Sequence, residues 1–516
     1  MGTSQQPGPA IHGPSPTTAG NGEGPARPMR RDLARLQACE HDVLVVGGGI
    51  HGAAAARDAA QRGLAVALVE ARDFGSGASW NSLKTIHGGL RHLQRADVAG
   101  LRESSRERRA LMAIAPELVR PLPFLVPAYG HGVRGREALA VGLRAFDLLT
   151  RDRNRGLPAE SRLPRSRMLG AAEVRARLPG VPAGDLTGGA LWYDAQVASS
   201  ERLLIAMLQA ADADGAVLAN FVEVTGLLRE GARVRGVQAR DAQTGAALEV
   251  RARIVVSAAG AGYGDIARLA GIAQAPPPMV DAMNLVLSRP VVREAAVGAR
   301  AGGRFLFLVP WRERAIVGTE YGDQQSAVSG RPTDERVGAF LAVARQAFPW
   351  AGLRDNDVAL VHRGRVPGRG ATDLVTRHRV LDHERAHGVR GFVSIVSAKY
   401  TTARAAAEEA VDLVLRRLGR APVPCRSAVT PLAGARPLGG PLDAQARAAA
   451  RDEMALHLED AILRRLDLGT AGPPPAEQVE VVASAMAAEL GWNDERRQAE
   501  ARALWRCFGP LPSAPC

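Results

Sequence analysis

From His41 onward, apolar residues come in short blocks whose period changes at glycines. His41 to Val46 is an apolar run of strand length, Gly47 to Gly52 a glycine turn, and Ala53 to Arg62 an alanine-rich helical stretch ended by Gly63. Ala65 to Glu70 reads as a second strand, so the segment predicts one βαβ unit. Residues 71 to 91 are rich in Gly, Ser and Asn and too long for a simple connection, which predicts a functional loop. A helical pattern follows from Ala99 to Ile114.

Pro-rich residues 116 to 127 break that pattern, and the stretch to Leu191 mixes short helices with arginine-rich turns, as an inserted segment would. Glu201 to Asp214 is helical. Ala216 to Leu228, Arg233 to Asp241 and Leu248 to Ala258 read as a β-meander. Beyond Pro276 to Pro278, alternating signals at Met283 to Leu287, Phe305 to Val309 and Ala315 to Gly318 predict an antiparallel sheet. Phe392 to Val396 is a buried strand and Ala403 to Leu418 a helix stopped by Gly419; from Ala421 the chain is Pro-rich and then helical.

The expected fold is α/β, with a discontinuous Rossmann-type domain (39–115, 192–275, 356–420) and an antiparallel-sheet substrate or cap domain (116–191, 276–355). A small C-terminal helical domain (421–516) follows. At 516 residues several domains are expected. Residues 1 to 38 lack an apolar core of signal-peptide type and read as a disordered leader. No apolar run approaches the roughly 18 residues of a membrane-spanning helix.

The net charge of +13 is spread along the chain among 53 acids, which argues against nucleic-acid binding and leaves a phosphorylated substrate or an anionic membrane surface as partners of a basic face. Of 66 basic residues only two are lysine, Lys84 and Lys399, as if arginine served wherever a generic charge sufficed. Cys39, Cys425, Cys507 and Cys516 lie far apart with no Cys-x-x-Cys pair, which argues against a zinc ribbon or disulfide framework and fits a reducing cytosol. No metal site is expected.

Gly47, Gly49 and Gly52 stand in Gly-x-Gly-x-x-Gly order between a strand and a helix, where they permit a tight turn, close approach of a pyrophosphate, and close helix packing. Glu70, 18 residues after Gly52, is placed to hold ribose hydroxyls. NAD and FAD share this fingerprint. The loop after the acid, with Ser79, Ser82 and the His87-Gly88-Gly89 string, supplies the small residues and hydroxyls that a ribityl chain and flavin ring require, so FAD is the expected cofactor. Val222 and Gly260 are further candidate cofactor contacts. At the other end of the chain, the loop Ser397 to Thr402 delivers Lys399 and Thr401 to the positive end of the helix from Ala403, suited to the anionic edge of a reduced flavin.

Taken together, Ser82 to Arg91, Trp192 to Ala195, Val309 to Trp311, Ile316 to Thr319, Thr376-Arg377, Lys399 to Thr402 and Glu453 to Asp460 resemble, in order, the FAD-dependent glycerol-3-phosphate dehydrogenases of the D-amino-acid-oxidase-like superfamily. The resemblance covers His41 to Trp505. It implies hydride transfer from C2 of sn-glycerol 3-phosphate to flavin N5, giving dihydroxyacetone phosphate, with electrons passed to a membrane quinone. It also implies His87 beside the ring as base or tuning group, and Arg91 facing substrate. Catalytic candidates are therefore His87, Arg91 and Lys399; substrate candidates are Arg91, Arg365, Arg377, Lys399 and Thr401. A cytoplasmic location is expected, or peripheral attachment to the inner membrane face.

Three departures stand out. Ser397-Ala398 replaces a glycine pair, and Ser257 to Gly262 replaces Asn-Ala-Thr-Gly-Pro-Trp. The family's Gly-Val-Arg-Pro is here Gly364-Arg365-Val366-Pro367, which in an extended segment turns the arginine to the opposite face. Two alternatives therefore accompany the leading expectation: an oxidoreductase of the same superfamily acting on another hydroxy acid, amine or sugar derivative, and a flavin-holding regulatory protein without turnover.

Overall fold

A computed structural model describes residues 28–132, 135–272, 277–322, 334–370, 374–435 and 439–508. Its first layer is an eight-stranded sheet. Strands Phe392–Val396, Ala247–Ser257, His41–Val46, Val66–Val69 and Val217–Ala219 run parallel in that order, with Arg379–Asp382 antiparallel at one edge. His41–Val46 is buried at every position, as a strand covered on both faces must be. Helices Ile50–Gln61, Ser200–Ala213 and Ala403–Leu418 cover one face; the alanines at 53–56, 59 and 60 let them approach closely. The meander Val222–Glu230, Arg233–Asp241 and Ala247–Ser257, with helix Tyr263–Leu269, closes the other face.

The second sheet has nine strands and is antiparallel apart from the pairing of Ala296–Ala301 with Val119–Tyr129. Val119–Tyr129, expected as a break in structure, is an eleven-residue strand paired along its length with Leu186–Val197. Pro121, Pro123 and Pro127 all fall at odd positions, so their missing N–H groups lie on one side and leave the ladder on the other side intact. This sheet also takes residues 192–197 and 358–367, which the sequence had assigned to the dinucleotide domain.

Residues 28–38, expected to end a disordered leader, are packed. Met29 and Leu36 are fully buried, Met29 N donates to Asp452 O, and Arg31 pairs with Asp241 at 2.5 Å. Residues 1–27 lie outside the described residues. The C-terminal helices Leu442–Asp452, Leu458–Arg464, Ala476–Leu490 and Asp494–Phe508 share a core into which Trp80, from the long loop after Glu70, inserts. Asp73 at the start of that loop is clasped by Arg464 (2.6 Å) and Arg465 (2.7 Å), all three buried. No helix among the described residues is long and apolar enough to cross a membrane.

Candidate flavin site and substrate cavity

The two sheets meet around one long cavity of about 2660 Å³, lined at one end by Gly47, Gly49 and Glu70 and further along by His87, Arg91 and Lys399. At the glycine turn, a Cβ on Gly47 (φ +110°) would stand 2.6 Å from Ala258 O, and one on Gly52 would stand 1.8 Å from Gly47 O. Nothing larger than glycine fits either position. Helix Ile50–Gln61 starts at Gly49 with no capping side chain, and Ser79 Oγ accepts from Ile50 N at 3.0 Å. A backbone cradle at a helix start whose cap residue carries no side chain is the arrangement a pyrophosphate requires, so these residues fit a dinucleotide.

Glu70 accepts from Gly48 N (2.6 Å) and Arg72 N (3.0 Å); burial pushes its carboxyl above the usual range against the pull of those two bonds. Val222 donates its N–H to Glu70 O at 2.7 Å, and Gly260 (φ +54°) turns the chain after Ala247–Ser257; both line the cavity. Ser79, Ser82, Gly89 and Thr401 line it too. Gly52 and Gly88 do not. Gly52 serves helix packing, while Gly88 donates its N–H to Asp194 Oδ1 (2.7 Å) and has Arg108 where a Cβ would be.

His87 stands where the cavity meets the second sheet, between Phe124 and Phe307. Its Nε2 is 2.8 Å from Thr85 Oγ1 and its Nδ1 3.6 Å from Asp194 Oδ2. Asp194 also pairs with the fully buried Arg108 and accepts from Trp192 Nε1 (3.3 Å). Burial alone would raise the Asp194 carboxyl, but Arg108 and the bonds from His87 and Gly88 hold it below the usual range. A carboxylate held toward its ionised form thus backs His87. Asp194 lies within the Trp192 to Ala195 string; its partnership with a histidine 107 positions earlier had no local signal.

Arg91 is exposed at the cavity wall, and its charge reaches Lys399 and the phenol of Tyr321. Burial raises the Tyr321 hydroxyl, opposed by a bond to Thr319 and by Arg91. Tyr321, two residues beyond the Ile316 to Thr319 string, is a cavity residue the sequence did not single out. Lys399 Nζ lies 2.8 Å from His92 Nε2. Burial lowers the Lys399 ammonium, with Arg91 and Arg377 adding to it and Glu103 and Asp97 opposing.

One expectation, that Arg377 faces the cavity, is corrected, and Lys84 and Arg365 take particular places. Lys84 does not face the cavity: it is wholly buried, its Nζ donating to Trp80 O and Ser200 Oγ (both 2.9 Å) and paired with Glu201. Arg377 lies outside the cavity and pairs with Asp97. Arg365 lines the cavity but sits across from Asp281, 3.7 Å from its carboxylate, on the same strand face as Arg363. Val366 shares the other face with Gly364, whose missing Cβ would be 2.9 Å from Ala78 Cα.

Fold and cradle together define an FAD-dependent oxidoreductase. The family model described as FAD dependent oxidoreductase matches residues 42–413, and that described as the C-terminal domain of alpha-glycerophosphate oxidase matches 428–497. Within that class, the chain belongs to the glycerol-3-phosphate dehydrogenase family. It is 30% identical to a glycerol-3-phosphate dehydrogenase of Synechocystis sp. over 425 residues, 78% of this chain and 75% of that one. It is 35% identical to glycerol-3-phosphate dehydrogenase 2 of Mycobacterium tuberculosis over 401 residues, 75% of this chain and 66% of that one. The fold is similar to the crystal structure of the glycerol-3-phosphate dehydrogenase from Bacillus halodurans complexed with FAD, with a TM-score of 0.71 at 22% identity, covering 94% of this chain and 97% of the other. FAD is the cofactor, and the protein is an enzyme of the FAD-dependent oxidoreductase type.

Proposed function

We propose that the chain oxidises sn-glycerol 3-phosphate to dihydroxyacetone phosphate. Bound FAD supplies the two-electron acceptor for the hydride leaving C2. Gly47 and Gly49 would hold its pyrophosphate, with Gly52 letting the helix approach, and Glu70 would hold its ribose. Ser79, Ser82, Gly89, Val222, Gly260 and Thr401 follow the rest of the cofactor. His87 takes the hydroxyl proton while Asp194, already ionised, offsets the imidazolium charge. Arg91 would draw the phosphate, and Lys399, in the loop before helix Ala403–Leu418, would offset the negative charge of a reduced flavin.

The observation that carries this reading is the His87–Asp194 pair on the wall of the same cavity as Arg91 and Lys399. Anaerobic addition of glycerol 3-phosphate to the FAD-loaded protein tests it: bleaching of the flavin band is expected, and its absence at saturating substrate would overturn it.

One observation favours a second reading. Val366 stands where the family carries its substrate arginine, and Arg365 faces Asp281 instead. A different hydroxy acid, amine or sugar derivative would then be oxidised, and bleaching by one of these but not by glycerol 3-phosphate identifies that case. For the electrons, we propose a quinone at a cytoplasmic membrane face, reached by peripheral attachment. Reoxidation of the reduced protein by a soluble quinone, faster than by oxygen, is the expected result; hydrogen peroxide as the main product would refute it.

A further inference from the structure

We propose that His92 and Asp97 form a fixed hydrogen-bond relay that positions Lys399, making His92 a positioning residue for the flavin-facing ammonium. Asp97 caps helix Val98–Ile114: its Oδ1 accepts from Gly100 N at 3.0 Å and is gripped by Arg377. Its Oδ2 lies 2.8 Å from His92 Nδ1. An ionised carboxylate only accepts, so the ring proton sits on Nδ1. The lone pair of Nε2 is then directed at Lys399 Nζ, 2.8 Å away, and the lysine must be the donor. The charge on Lys399 is held in place through two residues that line the same cavity.

Local sequence is adapted to this arrangement. The short turn Leu90–Arg95, entered at Gly89 (φ +89°), carries Arg91 into the cavity and His92 inward. Gly100 costs about 1 kcal/mol in a helix relative to alanine. A Cβ there would stand 2.3 Å from Asp97 Oδ2 and 2.6 Å from His92 Nδ1, so glycine leaves the room the relay occupies. The charged groups facing Lys399 and His92 are Asp97 and Glu103 from helix Val98–Ile114 and its cap, Arg91 from the turn, and Arg377 from the segment after residue 374. Glu103 is in turn paired with His378 at 3.1 Å. His92 joins the lysine to this set by a direct bond.

The relay rests on the reading above only in that Lys399 faces the flavin, and the lysine count gives a test independent of turnover. Lys84 and Lys399 are the only lysines, so protein labelled with carbon-13 at lysine Cε gives two side-chain signals. Lys84, enclosed with Glu201, is the internal reference for an intact fold. In the FAD-loaded protein, His92→Leu removes the acceptor and is expected to lower the Lys399 titration midpoint by about one pH unit. His92→Gln, which keeps an acceptor at similar reach, restores it. Asp97→Asn presents a donor to Nδ1, turns the ring to the opposite tautomer, and lowers the midpoint although the histidine remains. The bound-flavin midpoint potential should become more negative in the two disrupting variants and not in His92→Gln. Ring nitrogen-15 shifts of the unaltered protein should show the proton on Nδ1. An unshifted Lys399 signal in His92→Leu, or a proton on Nε2, overturns the relay. A wild-type chain that takes up no flavin overturns the earlier reading instead, while the lysine and ring signals still decide the relay.

Discussion

Asp194→Asn separates what holds the site from what works in it. The carboxylate is the counter-ion of Arg108, which is wholly buried, and it accepts from Gly88 N and Trp192 Nε1. Removing one partner of a buried pair costs about 3–5 kcal/mol. Asparagine keeps the shape and one acceptor, so a loss of about 3 kcal/mol is expected, within the roughly 5–15 kcal/mol of a folded domain. The protein should fold and unfold at clearly lower urea. Chemically, His87 loses the charge behind it, and since positioned acid–base groups contribute about 10²–10⁴-fold, flavin reduction by substrate should slow by about 10²-fold or more. Urea melts of the FAD-loaded protein and stopped-flow bleaching under anaerobic conditions give the two numbers. The double variant Arg108→Met/Asp194→Leu removes both charges; most of the stability should return while reduction stays slow. An Asp194→Asn protein that reduces its flavin at the normal rate would refute the pairing with His87.

Further outcomes follow from other parts of the molecule. Arg91→Ala should raise KM for a phosphorylated substrate at least tenfold with the flavin still bound; steady-state kinetics checks this, and an unaltered KM removes Arg91 from the anion site. Gly52→Ala puts a methyl group 1.8 Å from Gly47 O, so purified protein should contain little or no FAD by its absorbance ratio, and full occupancy would contradict the cradle. Exchanging the order at 365–366, as Arg365→Val/Val366→Arg, should lower KM for glycerol 3-phosphate if that face meets substrate; no change would favour the second reading. Asp73 is pushed up by burial but held down to about 2 by Arg465 and Arg464, below its ordinary 3.8. A depressed carboxyl stabilises the fold above the unfolded value and loses that contribution as pH falls from about 4 toward 2. Helical-domain fluorescence from Trp80 should therefore report acid release in that window, and Asp73→Asn should abolish the dependence.

Much of the dinucleotide half was legible in the sequence because its signals are local. The strand His41–Val46, the strand Phe392–Val396 and the helix Ala403–Leu418 fall at the expected residues, since glycine punctuation and a clean change of period mark their ends. Val119–Tyr129 was hidden because prolines normally argue against a central strand, and their shared odd spacing carries meaning only once the segment is known to be extended. The cofactor glycines were readable from spacing. The charge partners were not. In a chain with 64 arginines nothing local says that Asp73 meets Arg464 and Arg465, that Arg108 meets Asp194, or that Arg377 meets Asp97. Lys84 illustrates the same limit: its rarity marked it as special, and its use is a buried tie to Glu201.

The clasp of Asp73 by Arg464 and Arg465, with Trp80 seated in the C-terminal core, sets a timetable for making the protein. Asp73 in the loop after Glu70 is synthesised 391 residues before the Arg464 that anchors it. At about 5–20 residues per second, roughly 20–80 s separate the synthesis of Gly52 from that of Arg465. Throughout that interval the loop after Glu70 lacks the two arginines that hold it. A nascent chain stalled before residue 464 therefore carries this loop without its anchors, and Trp80 without the helical core that buries it, which leaves the segment open to chaperones and proteases.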